Sequence, residues 1–226
     1  MNLHLEMIRK RCAEAAKRSG RSPDAVRLIA ASKKQPLEAI QKLVAQGQTD
    51  FAESTIQEAQ HKISLCPTVT WHCIGHIQSN KARFIPALFD WVHSIDSEKL
   101  IDRLAQIAAQ ENKPLNILLQ VNTANDPEKF GFIPAGLDRI VETILSKQYS
   151  HINLKGLMTI GKANVSEDET RRTFAALKTL SDDLSTRFGR DYFSEISMGM
   201  SNDYEIAIEE GATMIRVGTA LFGERS

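Results

Sequence analysis

Lys33 stands where the apolar run Val26 to Ala31 breaks off into Ser32-Lys33-Lys34. An amine attacks an aldehyde only when deprotonated, and partial burial and a neighbouring cation such as Lys34 both encourage that state. Schiff-base formation is the chemistry such a lysine suits; the same triplet also reads as a solvated loop. A second group is Ser197-Met198-Gly199-Met200-Ser201-Asn202 together with Arg216-Val217-Gly218-Thr219-Ala220. Glycines there let backbone N–H groups approach phosphate oxygens, the Ser201 and Thr219 hydroxyls add donors, and a following helix N-terminus favours the anion. Ser201 or Asn202 also reads as a helix cap, a role compatible with phosphate binding. The third group is Trp71-His72-Cys73-Ile74-Gly75-His76-Ile77-Gln78-Ser79-Asn80-Lys81. Its two histidines straddle a strand-to-loop junction, which speaks against a metal and leaves His76 as a hydrogen-bonding residue at a site mouth or a structural histidine.

These groups are positioned by an alternation of elements. Residues 3–18 carry Leu3, Met7, Ile8, Cys12, Ala15 and Ala16 at helical spacing, ended by Gly20. Strands follow at 26–31, 49–52, 69–75, 91–95, 115–121, 152–158, 193–198 and 214–217, separated by helices at 36–46, 55–64, from about 79, 97–110, 134–147, 168–187 and 202–210. Strict strand–helix alternation implies a parallel sheet, and eight units in 226 residues predict a single α/β domain over 1–226, a closed (β/α)8 TIM-type barrel. In such barrels the interior is filled by apolar layers and the chemistry lies at the strand ends. Those ends carry Lys33, Glu53 and Ser54, His76 and Gln78, Asp96, Asn122, Met158 and Thr159, Ser197 to Ser201, and Gly218-Thr219.

Bulk composition narrows the function. Lys plus Arg number 28 and Asp plus Glu 28, so no net field gathers nucleic acid or an anionic membrane. No apolar run reaches the roughly 20 residues that span a bilayer, and the start turns charged within one helical turn, so a cytoplasmic protein is expected. Cys12, Cys66 and Cys73 are odd in number and lack CxxC spacing, which predicts three reduced, mostly buried thiols and no metal site.

Ala31-Ser32-Lys33, the stretch from Trp71 to Lys81, Gly156-Leu157-Met158, Ser197-Met198-Gly199-Met200-Ser201, and Arg216-Val217-Gly218-Thr219 with Phe222-Gly223 occur in that order. Together they resemble the YggS/PROSC family of pyridoxal phosphate homeostasis proteins over essentially the whole chain. The resemblance implies a barrel like the N-terminal domain of alanine racemase (fold type III of pyridoxal phosphate proteins) without that enzyme's C-terminal β domain. It implies pyridoxal 5'-phosphate on Lys33, a phosphate held by Ser201, Gly218 and Thr219, and Arg216 against the phosphate or the pyridine nitrogen. Met198, Gly199, His76 and Ser54 complete the expected cofactor-binding set, and Lys129 matches the family's Lys-x-Gly stretch as a second amine able to receive the cofactor. One departure stands out: Phe51-Ala52-Glu53-Ser54 replaces the family's Phe-Gly-Glu-Asn, shortening or removing a side-chain contact.

The function implied is a monomeric carrier that buffers pyridoxal phosphate, maintains vitamin B6 and amino-acid homeostasis, and passes the cofactor to apo-enzymes. The rival is a pyridoxal phosphate-dependent racemase or decarboxylase. Because the chain stops at Ser226 shortly after its last strand, no β domain is expected to supply a second base, which favours the carrier. A phosphosugar-handling barrel enzyme is the third reading.

Overall fold

The computed structural model describes residues 3–223. Met1, Asn2 and Glu224 to Ser226 lie outside the described residues. Eight parallel strands close into a barrel in chain order: β1 (Arg27–Ala31), β2 (Asp50–Glu53), β3 (Thr70–Cys73), β4 (Trp91–Ile95), β5 (Leu115–Gln120), β6 (Ile152–Met158), β7 (Glu195–Ser197) and β8 (Met214–Val217), with β8 pairing back onto β1. Around it lie α1 (Leu3–Arg18), α2 (Leu37–Val44), α3 (Ile56–Leu65), α4 (Ile85–Leu88), α5 (Glu98–Gln110), α6 (Leu137–Ser146), α7 (Glu167–Phe188), α8 (Tyr204–Glu209) and α9 (Thr219–Phe222).

The expected elements are present, with three departures. The helix anticipated from residue 79 shrinks to a 3₁₀ turn at Ala82–Phe84 and the single-turn α4, whose Pro86 has no N–H to extend a ladder inward. The helix expected from 134 starts only after Gly136, which takes the left-handed conformation (φ 89°). The segment after β8, expected as a loop, winds one helical turn as α9.

Strand side chains alternate between two compartments. The outward set, with Phe51, Trp71, Leu119 and Leu157, joins α-helical residues such as Leu5, Leu104, Phe174 and Leu177 in one continuous apolar layer. The inward set holds a small apolar cluster of Ile29, Ala52, Trp91, Leu118, Met158 and Met214. The interior departs from the expected apolar filling: His72, His93, Ser197 and Arg216 are also buried there. Their placement follows from the topology, since β4 and β7 are not neighbours and a bond between His93 and Ser197 must cross the barrel.

All three cysteines are buried and free, and burial pushes the Cys12 and Cys73 thiols up to about 12. Among the described residues no helix is long and apolar enough to cross a membrane, and no group of three or more His, Cys, Asp and Glu could hold a metal.

Candidate functional site

A cavity of about 680 Å³ opens at the C-terminal ends of the strands. Its wall brings together Lys33 after β1, Lys129 after β5, the 160–165 loop after β6, Ser201 and Asp203 after β7, and Arg216, Gly218 and Thr219 of β8 and α9. Five of the residues singled out by type and spacing therefore share one wall with the candidate second amine. His76, Met198, Gly199 and Ser54 are not among the lining residues. The structure sets them behind or beside the wall, each with a different task.

Gly199 holds a left-handed turn (φ 89°), and a Cβ there would stand 2.5 Å from that of Ala207, so only glycine lets the β7 loop fold onto α8. The Gly199 carbonyl accepts the Arg216 N–H at 3.0 Å, and Met198 beside it is fully buried. Ser54 is set by Gly75: a Cβ on Gly75 would sit 2.0 Å from the Ser54 carbonyl oxygen. This close backbone approach is what the glycine of the Trp71-to-Lys81 stretch permits. His76 uses Nδ1 on Asp96 Oδ2 at 2.9 Å and stacks on Phe130, ring centroids 3.9 Å apart, next to Lys129. It thus braces the loop that carries the second lysine.

The loop bearing Lys33 is clamped from below. Lys62 of α3, only 5% exposed, donates to Glu53 Oε1 at 2.8 Å, to Glu58 Oε1 at 3.0 Å and to the Ser32 carbonyl at 2.7 Å. Ser32 Oγ donates to Glu53 Oε1 at 2.7 Å, and the Lys34 N–H donates to the Glu58 carboxylate. Burial pushes the Glu53 carboxyl up, against the opposing pull of Lys62 and Ser32. Sequence gave Lys62 no prominence, because Glu58 and Lys62 four apart on a helix read as an ordinary surface pair.

At the opposite wall Ser201 Oγ accepts the N–H groups of Gly218 (3.2 Å) and Ala220 (3.1 Å). Ser201 is therefore turned toward α9 and does not cap α8, whose cap position is Asp203. A Cβ on Gly218 would come within 3.2 Å of the Ala31 carbonyl, which keeps this corner in contact with β1. Arg216, 4% exposed, donates from Nη1 to Ser197 Oγ at 2.6 Å and from Nη2 to the Thr159 carbonyl at 2.9 Å. Burial lowers its pKa to about 10, which leaves it a cation at neutral pH. An amine, a fixed guanidinium and a hydroxyl gathered with backbone N–H donors suit a small ligand that is both an anion and an aldehyde.

The family model for the alanine racemase N-terminal domain matches residues 3–226. The chain belongs to that family. Within it, the chain is 41% identical over 229 residues to a protein of Vibrio alginolyticus named pyridoxal phosphate homeostasis protein, covering 98% of this chain and 96% of that one. The solved structure of PipY of Synechococcus elongatus PCC7942 with PLP bound aligns with a TM-score of 0.83 at 39% identity, over 93% of this chain and 99% of that one. The alanine racemase of Streptomyces coelicolor shares the barrel alone: TM-score 0.75, 16% identity, 98% of this chain but 59% of the enzyme.

Proposed function

We propose that this member of the alanine racemase N-terminal domain family binds pyridoxal 5'-phosphate on Lys33 and acts as a carrier of the cofactor. The observation that carries the reading is that Lys33, Ser201, Arg216, Gly218 and Thr219 line one cavity of suitable size for a single small ligand. The likeness to relatives named pyridoxal phosphate homeostasis proteins, and to a PLP-bound PipY, supports it. When bound, pyridoxal phosphate supplies an aldehyde that condenses with the Lys33 amine and releases water.

The chain's own residues do the rest. Lys62, Glu53 and Glu58 hold the loop that sets Lys33 in the cavity wall. The Thr219 N–H and the hydroxyls of Ser201 and Thr219 would hold the phosphate beside Gly218, whose N–H, with that of Ala220, already goes to Ser201 Oγ. Arg216, a cation that cannot accept a hydrogen bond, would lie against the phosphate or the ring nitrogen, and at the nitrogen would keep it unprotonated. That weakens the ring as an electron sink and restrains carbanion chemistry, which suits a carrier better than a racemase or decarboxylase. Lys129 is the second amine, on a loop at the mouth through which the cofactor leaves for apo-enzymes of the cytoplasm, and the working unit is a monomer.

The test is borohydride trapping followed by mass spectrometry of the intact chain and its peptides. Pyridoxal phosphate should become fixed to Lys33 in the wild type and vanish from that peptide in Lys33→Ala. An unlabelled wild type would remove the reading and bring the phosphosugar alternative forward. Conversion of L-alanine to its enantiomer by the loaded protein at enzyme-like turnover would replace the carrier by a racemase.

A further inference from the structure

Four hydrogen bonds run in series through the barrel. Arg216 Nη1 meets Ser197 Oγ at 2.6 Å, Ser197 Oγ meets His93 Nδ1 at 2.8 Å, His93 Nε2 meets His72 Nδ1 at 2.9 Å, and His72 Nε2 meets Asp50 Oδ1 at 3.1 Å. His72, His93 and Ser197 are 0% exposed. Arg216 lies at the cavity, whereas Asp50 opens β2 at the other end of the barrel, beside Arg27 at 3.9 Å.

With both histidines neutral, the two ends fix every proton between them. A guanidinium only donates and a carboxylate only accepts. Starting from Arg216, Ser197 Oγ accepts and its hydroxyl hydrogen goes to His93 Nδ1. A neutral His93 then carries its proton on Nε2 and donates to His72 Nδ1, and His72 carries its proton on Nε2 and donates to Asp50. Starting from Asp50 with both histidines neutral gives the same assignment, whereas a protonated ring would make Ser197 Oγ accept from both Arg216 and His93. Burial lowers both imidazoles, His93 well below its ordinary value and further disfavoured by His72, Arg216 and Arg27, which is consistent with that charge state. Asp50 falls below the ordinary carboxylate value: burial opposes this, but hydrogen bonds from His72 and Thr49 and the nearby Arg27 outweigh it.

We propose that Asp50, His72, His93 and Ser197 form a one-way polarised relay that fixes Arg216 in the cavity, with Asp50 as its terminal acceptor across the barrel and His93 a positioning residue for the bound ring. This rests on the reading of the cavity as a pyridoxal phosphate site. The Arg216 guanidinium bonds go to a hydroxyl and a carbonyl; Asp203, on the same cavity wall, favours its charge through space without a direct ion pair among the described residues. The relay supplies what a direct pair would: each donor is strengthened by the next acceptor, and the last acceptor bears the negative charge. It also turns the Ser197 hydroxyl hydrogen away from the cavity. Arg216 alone among these residues then presents N–H groups to a ligand, selecting a ring atom that accepts a hydrogen bond.

Long-range proton–nitrogen NMR of the ¹⁵N-labelled, ligand-free chain reads the relay without any cofactor. Both His72 and His93 should show the neutral Nε2–H tautomer at neutral pH. Nδ1–H, or a cationic ring at either residue, overturns the proposal. Titration with pyridoxal phosphate then tests the consequence. His93→Phe keeps the volume and cuts the relay, and should weaken binding roughly tenfold or more, as expected for a lost hydrogen bond in a charged network, with Gln at the same position restoring part of it. Asp50→Ala, at the far end and away from the cavity, covers the case that His93→Phe does not fold; it should weaken binding several-fold and shift the His72 nitrogen signals. Wild-type affinity in a folded His93→Phe or Asp50→Ala chain overturns the relay. Failure of borohydride to trap the cofactor on wild-type Lys33 would instead overturn the site reading, leaving the tautomers to decide the relay on their own.

Discussion

Outside the sheet, Phe51, Trp71, Leu119 and Leu157 meet the helices in a layer built of apolar residues. Inside, one step along the same strands, Ala52, Leu118 and Met158 share the space with His72, His93, Ser197 and Arg216. The outer layer gains stability from area removed from water and has no directional requirement. The interior gives up apolar filling for a chain of bonds, each of which depends on the next. Tolerance should therefore differ: the outer layer responds to volume, the inner one to proton positions.

The largest effect expected is in the outer layer. Phe51, fully buried with its ring centroid 5.8 Å from that of Trp71, should cost about 3–5 kcal/mol when cut to Ala, read as a fall in the denaturant midpoint. Pyridoxal phosphate affinity of the folded fraction should be unchanged; a large loss of affinity would dissolve the division between the layers.

Lys62→Met keeps the volume but strands the buried Glu53 carboxyl, and a loss of about 3 kcal/mol at neutral pH is expected. Burial already raises the folded Glu53 pKa above its unfolded value. The unfolded carboxyl thus loses its proton first as pH rises, so the deficit should shrink in acid and grow toward neutrality. A deficit independent of pH would mean that the lysine acts through packing alone.

His93 works in the opposite sense. Its folded pKa is depressed, so below about pH 6.5 the unfolded chain binds a proton that the folded chain does not. Its contribution is present above that pH and lost as pH falls, with a slope of about 1.4 kcal/mol per pH unit. Urea unfolding between pH 6.5 and 5 should give a shallower slope by about that amount in His93→Gln. An unchanged slope would mean that His93 is charged in the folded chain.

Ser201→Ala is expected to change stability least, by about 1 kcal/mol, since the two N–H groups it releases lie at the cavity wall. Its pyridoxal phosphate affinity should nevertheless fall roughly tenfold, which calorimetric titration measures. A stability loss without an affinity loss would make Ser201 a structural brace.

Most of the barrel could be read from the chain: the runs at Trp91–Ile95, Ile152–Met158 and Met214–Val217 coincide with the strands observed. Those segments are short, mostly apolar runs bounded by turn residues, so local pattern suffices. The α4 segment was overestimated because apolar Phe84, Ile85, Ala87 and Leu88 look helical while Pro86 ends the ladder early. In the cavity, Lys33, Arg216, Ser201, Gly218 and Thr219 were legible because they sit at strand ends, where side-chain type alone suggests chemistry. His93 and Asp50 were not, although His93 stands two residues from the inward Trp91 in a wholly buried strand, which held the signal for an inward histidine.

By itself, then, the sequence determined the parallel barrel, because strand and helix periodicities are local properties of the chain. It also determined which side chains stand at the strand ends. Only the closed tertiary structure decided that Ser197 meets His93, 104 residues away, and that Lys62 turns inward beneath Lys33. Hydrogen bonds across a barrel depend on shear and strand tilt, which place inward residues of non-neighbouring strands at one height, and no spacing along the chain encodes that.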